Sequence, residues 1–335
     1  MKRILLDGIN QKFFKANLHC HSTISDGIHT PEQLKAMYRE KGYNILAITD
    51  HENIVSHSEL DDEDFLTITS AEYAIKEFPE QSTLKNRRMK VCHLNIYAKE
   101  QNNTNCICYN SVLDHFTKDP LEKAQLIEKY GNYNRIYGAE GINEIIRIAN
   151  ENGFFVCYNH PRWSLENYGD YSGYKGLWGV EIYNTGCNIN GLYEYDINVL
   201  DDFLRDDKKV YASCGDDNHS LDDMFGAFVM VNTDALKYEN VINALLSGSF
   251  YGSTGPEIYE LYVEDLFVHI KCSDVKRIAF STQGRRTSCK TAKETNYINE
   301  AKFEIFPDDG YFRIEICDET GNRGWTQPYY VKELF

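Results

Sequence analysis

The sequence predicts an α/β fold, a barrel of repeated strand–helix units, followed by a small all-β domain. A length of 335 residues allows two domains, or one large barrel with an appendage. Strand and helix patterns alternate along most of the chain, which favours a barrel over an open doubly wound sheet. After about Ser253 short strand patterns follow one another, separated by Gly, Asp and Asn turns. We therefore expect a barrel over 1–254, with an insertion at about 99–140, and a β-sandwich-like domain over 255–335.

The first repeated unit has the order strand, helix, strand. Residues 16–22 have a short strand pattern. Thr30-Pro31-Glu32-Gln33 then combines an N-cap, a proline at the first helical position and a capping-box glutamine, which predicts a helix to Lys41. The apolar run 45–49 is typical of a parallel strand that is buried on both faces.

The same alternation continues to the end of the barrel. Strands are predicted at 66–70, 89–98, 154–159, 179–184 and 210–214. Helices are predicted at 120–130, 141–152 and 190–206. Residues 99–140 are polar and irregular, which indicates an insertion over one barrel end. In the C-terminal domain, strands are predicted at 259–271, 275–281, 302–306 and 311–317.

Charge and composition exclude several partners. The formal net charge of −16 repels phosphate backbones and anionic lipid, which argues against nucleic-acid wrapping. The chain has no apolar window of the roughly 20 residues that span a bilayer, and its first residues have no export-signal pattern. The ten cysteines are scattered, several within apolar strand patterns, as expected of buried free thiols in a reducing compartment. We therefore expect a cytoplasmic protein without membrane partners, and the sequence leaves its oligomeric state open.

Histidines and carboxylates follow the predicted strands. His19 and His21 alternate along a strand, so both imidazoles point to one face and suit a divalent transition metal. Strand ends meet at one mouth of a barrel, which predicts that the histidines and acids near those ends are neighbours. They are His19, His21, His51, His93, His160, His219, Asp26, Asp50, Glu72, Asp216 and Asp217. Each alone could be a capping or loop residue, but together they exceed the four to six ligands of one ion, which implies two or three metals.

Six segments resemble, in order, the motifs of the PHP (polymerase and histidinol phosphatase) family. They are NLHCHSTISDG, AITDHENI, SAEY, VCHLNIY, NHPRW and SCGDDNHS. The resemblance covers roughly residues 14–255. The C-terminal segments GSTGPEIYELYV and RIEICDETGNRGWTQPYYV resemble the small β-domain of the CehA/McbA-type branch of that family.

The resemblance implies the PHP fold, a distorted (β/α)7 TIM-like barrel, with two or three divalent ions, either Mn, Fe or Zn. It implies nine ligands in three sets: His19, His21, Glu72 and Asp217; Glu72, His93 and His160; and Asp26, His51 and His219. Glu72 would bridge the first two ions. Many family members have a histidine where this chain has Asp26, and a carboxylate there favours harder ions such as Mn²⁺ or Fe²⁺.

Two further residues are candidate catalytic residues. Asp50, next to His51, could orient an imidazole, contact the site directly or cap a strand end. Arg162 could present its guanidinium to a phosphate at the mouth, or pair with a carboxylate in its loop. The first hypothesis is a hydrolase that attacks a small phosphomonoester, of the nucleotide or sugar phosphate class, with metal-activated hydroxide. Hydrolysis of a carbamate or carboxylic ester at the same centre, and a non-catalytic ligand-binding barrel, are the alternatives.

Overall fold

A computed structural model describes residues 2–78, 89–192 and 195–335. Their backbone contacts divide the chain into two compact units. One unit, which we call the central unit, comprises Asn17–Phe225. The other, the β unit, comprises Met1–Ala16 together with Gly226–Phe335.

The chain combines seven helices and nineteen strands over these residues. The helices are α1 (Pro31–Glu40), α2 (Pro120–Tyr130), α3 (Ala139–Glu151), α4 (Tyr168–Tyr171), α5 (Thr185–Ile189), α6 (Ile197–Arg205) and α7 (Tyr238–Ser247). The strands up to the end of the central unit are β1 (Arg3–Asp7), β2 (Lys12–Asn17), β3 (Ile45–Ala47), β4 (Leu66–Ile68), β5 (Ser70–Lys76), β6 (Val91–Ala98), β7 (Phe154–Tyr158), β8 (Gly179–Asn184) and β9 (Tyr211–Gly215). The remaining strands are β10 (Phe228–Thr233), β11 (Phe250–Ser253), β12 (Ile258–Glu264), β13 (Phe267–Val275), β14 (Arg277–Thr282), β15 (Thr287–Thr291), β16 (Ile298–Glu304), β17 (Tyr311–Cys317), β18 (Arg323–Thr326) and β19 (Tyr329–Tyr330).

The central unit has a parallel pair, β3 and β4, and a sheet in the order β5-β6-β7-β8-β9. Within this sheet β7, β8 and β9 are parallel, whereas β6 is antiparallel to both β5 and β7. The α/β content agrees with the sequence prediction. Repeated strand–helix units predict that neighbouring strands are parallel, and the antiparallel strand β6 departs from that prediction. The reason is that no helix lies between β5 and β6 among the described residues. The hydrogen-bonded sheets that these residues build do not confirm a closed barrel.

The predicted capping of the first helix is present. Thr30 accepts a hydrogen bond from the backbone of Gln33, and the Gln33 side chain accepts one from the backbone of Thr30. The helix buries Leu34 and Tyr38. The helix predicted at 190–206 is shorter than expected: α6 begins at Ile197, α5 is separate, and residues 193–194 of the prediction lie outside the described part of the chain.

The β unit consists of antiparallel sheets around one apolar core. One sheet has the order β1-β12-β13-β16, and the other contains the run β15-β14-β17-β18-β11-β10-β2. Because β10 pairs with β2 and β11 pairs with β18, residues 226–253 and the N-terminal strands pack with the C-terminal strands. The two compact units are therefore divided at positions other than 254/255, the domain boundary that the sequence predicts. That domain boundary stays a prediction.

A buried ion pair holds the predicted insertion against the central sheet. Arg135 donates to Glu52 and to the carbonyl oxygen of Ala74, both at 3.0 Å, and its Nη2 atom lies 2.7 Å from Glu52 Oε2 in an ion pair. It also donates to the carbonyl oxygen of Cys108 at 3.0 Å. Both charged side chains are almost fully buried. Residues 106–135 are thereby fixed next to His51 and β5.

No helix among residues 2–78, 89–192 and 195–335 is both long and apolar enough to span a bilayer.

Candidate metal centre

The backbone brings the ends of several central-unit strands together. Cys20 forms an isolated parallel bridge with Asn218, and His51 forms one with Glu72. Gly215, at the end of β9, lies so close to His19 that a Cβ atom there would be 2.5 Å from the His19 Cβ. A glycine is therefore required for this approach.

All nine sequence-predicted ligands converge in this region, in three groups whose donor atoms lie within 4.8 Å of one another. The groups are His19, His21, Glu72 and Asp217; Glu72, His93 and His160; and His21, Asp26, His51 and His219. The first two groups have the membership that the sequence predicted. The third also contains His21, so Glu72 and His21 each belong to two groups.

The distances between donor atoms in the first group, His19, His21, Glu72 and Asp217, fit a metal ion. His21 Nε2 lies 3.0 Å from Asp217 Oδ1 and 3.4 Å from Glu72 Oε2, and His19 Nε2 lies 3.3 Å from both carboxylates. The two Nε2 atoms are 3.3 Å apart. Four donors at about 2.1 Å from a tetrahedral ion would be about 3.4 Å from each other. Imidazole nitrogens and carboxylate oxygens are also the donors that divalent transition metals accept.

The other two groups are connected to the first group through the residues that they share with it, Glu72 and His21. His93 Nδ1 and His160 Nε2 lie 3.1 and 3.2 Å from Glu72 Oε1. His51 Nδ1 lies 3.3 Å from Glu72 Oε2, and its Nε2 lies 3.5 Å from Asp26 Oδ2. His219 Nε2 lies 3.4 Å from Asp26 Oδ1.

Glu181, on β8, orients His19 and was missed by the sequence reasoning. Its Oε1 lies 2.9 Å from His19 Nδ1, and its Oε2 accepts a hydrogen bond from Asn184 at 2.9 Å. A carboxylate on Nδ1 holds the proton there and leaves the lone pair of Nε2 directed at Glu72 and Asp217. The signal in the sequence was a lone acid between the apolar residues Val180 and Ile182, since a buried carboxylate needs a partner.

Hydrogen bonds orient the other imidazoles in the same way. The Nδ1 atom of His219 donates to the carbonyl oxygen of Asp217 at 3.0 Å, which turns its Nε2 towards Asp26. The Ser164 hydroxyl lies 3.4 Å from His160 Nδ1. Asn159 donates to Glu72 Oε1 at 2.8 Å.

The electrostatics reflect a buried mixture of charges. Burial lowers the pKa of His93 to about 4. Burial acts in the same direction on His160, but the hydrogen bond and charge of Glu72 outweigh it and raise its pKa to about 9. Burial raises the pKa of Glu72 and of Asp217, whereas the neighbouring histidines lower it. The combined effect of the histidines is larger, so the pKa of each carboxyl group lies well below its usual range. Both carboxylates are therefore ionised at neutral pH.

Asp50 lies behind the ligands. Its Oδ1 accepts from the Ser22 backbone at 2.8 Å and from the Ser25 hydroxyl at 2.6 Å, and its Oδ2 accepts from the Ser22 hydroxyl at 2.6 Å. Ser25 in turn lies 3.4 Å from His21 Nδ1. Asp50 is not among the residues that line the cavity described below. This geometry favours the alternative in which Asp50 orients an imidazole, here through Ser25, over direct contact with the site, and the role of Asp50 stays a prediction.

Arg162 is not among the residues that line the cavity described below, whereas Trp163 is. The guanidinium of Arg162 donates to the carbonyl oxygen of Leu192 at 3.0 Å, and its side chain borders a separate surface pocket with Tyr168. The turn begins at His160, whose φ of 22° is unusual for a residue with a side chain. This geometry does not bring Arg162 into the cavity lining, and its contact with a phosphate stays a prediction.

A carboxylate with three tyrosine donors holds the segment after that turn. Glu166 accepts hydrogen bonds from Tyr137 at 2.8 Å, from Tyr158 at 2.7 Å and from Tyr174. Burial raises the pKa of Glu166. Tyr137 lies within the predicted insertion, so this contact ties that segment to the turn that contains His160.

A cavity of about 660 Å³ opens onto all three donor groups. Its wall is largely apolar. The Trp163 ring lies 5.0 Å from the rings of His93 and His160, and the Phe116 ring stacks on His51 at 5.5 Å. Lys76 and His115 also line it. His115 belongs to none of the three groups.

Comparison with known proteins identifies the family. The PHP domain family matches residues 17–316 of this chain. A stretch of 45 residues is 44% identical to a 5'-3' exoribonuclease of Haemophilus influenzae, and it spans 13% of this chain but only 16% of that protein.

Two solved structures are similar in fold. One is a two-domain protein of Bacteroides vulgatus described as containing a predicted PHP-like metal-dependent phosphoesterase, with 14% identity, a TM-score of 0.44 and coverage of 98% of this chain and 90% of that one. The other is a lesion-specific endonuclease of Pyrococcus furiosus, with 16% identity, a TM-score of 0.42 and coverage of 70% and 56%. The family assignment is based on the sequence match over residues 17–316.

The site and the match define the class of protein: a metal-dependent hydrolase with a histidine- and carboxylate-rich centre. The chain belongs to the PHP domain family.

Proposed function

We propose that this protein hydrolyses a small phosphomonoester, of the nucleotide or sugar phosphate class, to an alcohol and inorganic phosphate. Two or three divalent ions, of Mn, Fe or Zn, would be held by the three donor groups. The observation that supports this most is that the groups share Glu72 and His21 and open together into one cavity. Donor sets that share a carboxylate hold their ions close enough to act on one phosphoryl group.

Each ligand has a defined place in this proposal. Glu72 would bridge the ions held by the first two groups, with one carboxylate oxygen near His93 and His160 and the other near His21 and His51. Bound divalent ions supply an acidified water and neutralise phosphoryl charge.

The protein's own groups would hold the imidazoles in place. Glu181 and Asn159 fix His19 and Glu72 by hydrogen bonds, so the donor atoms need no rearrangement to bind metal. Trp163 and Phe116 would exclude water from the side of the leaving group.

Metal analysis and phosphate release test the proposal. Protein purified without chelator should contain two to three ions, and it should release phosphate from phosphomonoesters. Glu72→Ala should lose two ions together, whereas Asp26→Ala should lose one. A content of at most one ion, or metal-loaded protein that releases no phosphate from a broad phosphomonoester panel, would contradict it.

A second candidate is hydrolysis of an aryl carbamate or carboxylic ester by the same centre. The apolar wall, and the position of Arg162 outside the cavity, favour a neutral aryl substrate more than the sequence suggested. The two candidate functions are separated by measuring phosphate release from aryl phosphates and phenol release from aryl carbamates and carboxylic esters with the same aryl group.

The similarity to an exoribonuclease makes short oligonucleotides a necessary member of the substrate panel. The net charge of −16 supports a small substrate over an extended nucleic acid. The (β/α)7 barrel, the CehA/McbA-type branch, the two domains and the cytoplasmic location stay predictions within this proposal. A non-catalytic barrel is disfavoured because all nine donors are present.

A further inference from the structure

We propose that Lys76 forms a second anion-binding position in the cavity, and that the substrate is a phosphate ester whose leaving group has a second anionic group. This inference depends on the proposed phosphatase function and adds the substrate class to it. Lys76 was not identified from the sequence, and none of its contacts belongs to the metal centre.

Strand β5 sets the distance between the two positions. Side chains alternate along a strand, and Glu72, Ala74 and Lys76 all line the cavity from one face of β5. Four residues of extended chain place Lys76 about 13 Å along the strand from Glu72. The cavity floor therefore begins at the metal centre and ends at a cation.

The Lys76 ammonium group lacks a partner in the part of the chain that the structure describes. The acid whose charge acts on Lys76 is Glu52, but its carboxylate is already engaged by Arg135 at 2.7 Å and by the backbone of Ala74 at 3.1 Å. Burial lowers the pKa of Lys76, which shows a cation that is removed from water without full compensation. An anionic ligand would supply that compensation.

Apolar side chains line much of the cavity around the two positions. Ala74 presents only a methyl group, and Val91 lies beside Lys76 in the register of β5 and β6. Leu113, Phe116 and Trp163 line the same cavity. A flat or aliphatic leaving group fits here, with the scissile phosphate at Glu72 and the second anion at Lys76.

Substrate discrimination by the unmodified, metal-loaded protein is the primary test. The probes are 4-carboxyphenyl phosphate and 4-phosphonophenyl phosphate, compared with the neutral isostere 4-carbamoylphenyl phosphate. A charge-assisted hydrogen bond contributes roughly 1.5–3 kcal/mol, so the anionic probes should have kcat/KM values about ten- to a hundredfold higher. The carboxylate and phosphonate arms show which anion the position prefers.

Variants assign the discrimination to Lys76. Lys76→Met keeps the aliphatic stem and should bring the kcat/KM values of the anionic probes down to that of the neutral probe. Lys76→Arg keeps the charge and should retain most of the preference. Lys175→Met, an exposed lysine outside the cavity lining, is the matched control and should retain the full preference.

The outcomes are distinguishable. Equal kcat/KM values for all three probes in the unmodified protein overturn the second anion position and leave the phosphatase proposal intact. A preference that survives Lys76→Met overturns the assignment to this residue. Absence of phosphate release from every probe by metal-loaded protein overturns both proposals.

Discussion

Glu181 offers the sharpest test of how the metal centre is held. Its two oxygens have different partners: Oε1 accepts from His19 Nδ1 and Oε2 accepts from Asn184. In Glu181→Gln one oxygen becomes an NH₂ group, which cannot accept a hydrogen bond. Either His19 or Asn184 then faces a donor instead of an acceptor. The substitution keeps the volume, so the expected effect is on orientation rather than packing.

The magnitude follows from the role of a carboxylate behind a ligating imidazole. Loss of such a partner weakens metal affinity or activity about ten- to a hundredfold. We expect a loss of this size for the ion in the His19 group, with the Asp26 group unaffected. Glu151→Gln, at an exposed pair with Arg147, is the matched control and should change neither.

The assay is metal content at equilibrium over a series of buffered free-metal concentrations, with kcat/KM measured on the same samples. Thermal unfolding without metal checks that the variant is folded. If metal affinity and kcat/KM stay within twofold of the unmodified protein, the carboxylate does not set the orientation of His19 and the reasoning fails.

Three other substitutions test features outside the ligands. Arg162→Ala should change kcat/KM less than about threefold, and equally for a phosphate and a neutral ester, since the guanidinium faces Leu192; a loss confined to the phosphate would restore its predicted role. Arg135→Ala leaves Glu52 charged and buried, so urea unfolding should show a loss of about 3–5 kcal/mol; a loss below 1 kcal/mol would mean that the pair contributes little. The pKa of Glu166 is raised above its ordinary 4.5, so its contribution to stability is full below pH 4.5 and declines as pH rises through the raised pKa; Glu166→Gln should remove this slope, and unchanged slopes by denaturation at pH 4 to 8 would contradict it.

The sequence predicted which histidines and carboxylates come together because their signal is local and additive. Histidines at strand ends, such as His51 and His160, are visible as soon as the strands are placed, and the family motifs supply the rest. Glu181 and Lys76 are isolated residues on strands, and their roles depend on which face of β8 or β5 meets the cavity. That requires the sheet, which periodicity does not provide.

The features that the sequence did not indicate have the same origin. Arg162 follows the turn at His160, whose positive φ no residue pattern there indicates. β10 pairs with β2 and β11 pairs with β18, which joins segments from both ends of the chain. Residue patterns within a single strand do not indicate which distant strand it pairs with. Local elements such as α1 and β8 were placed nearly to the residue.

The anchoring of residues 106–135 has a consequence for how substrate range could change. The segment is fixed by Arg135 at one point, while Leu113, His115 and Phe116 face the cavity at another. Diversifying positions 113, 115 and 116 would alter the wall that meets the leaving group without touching either the anchor or the nine donors. Libraries confined to these positions should yield new selectivities among stable variants, and natural divergence could follow the same route.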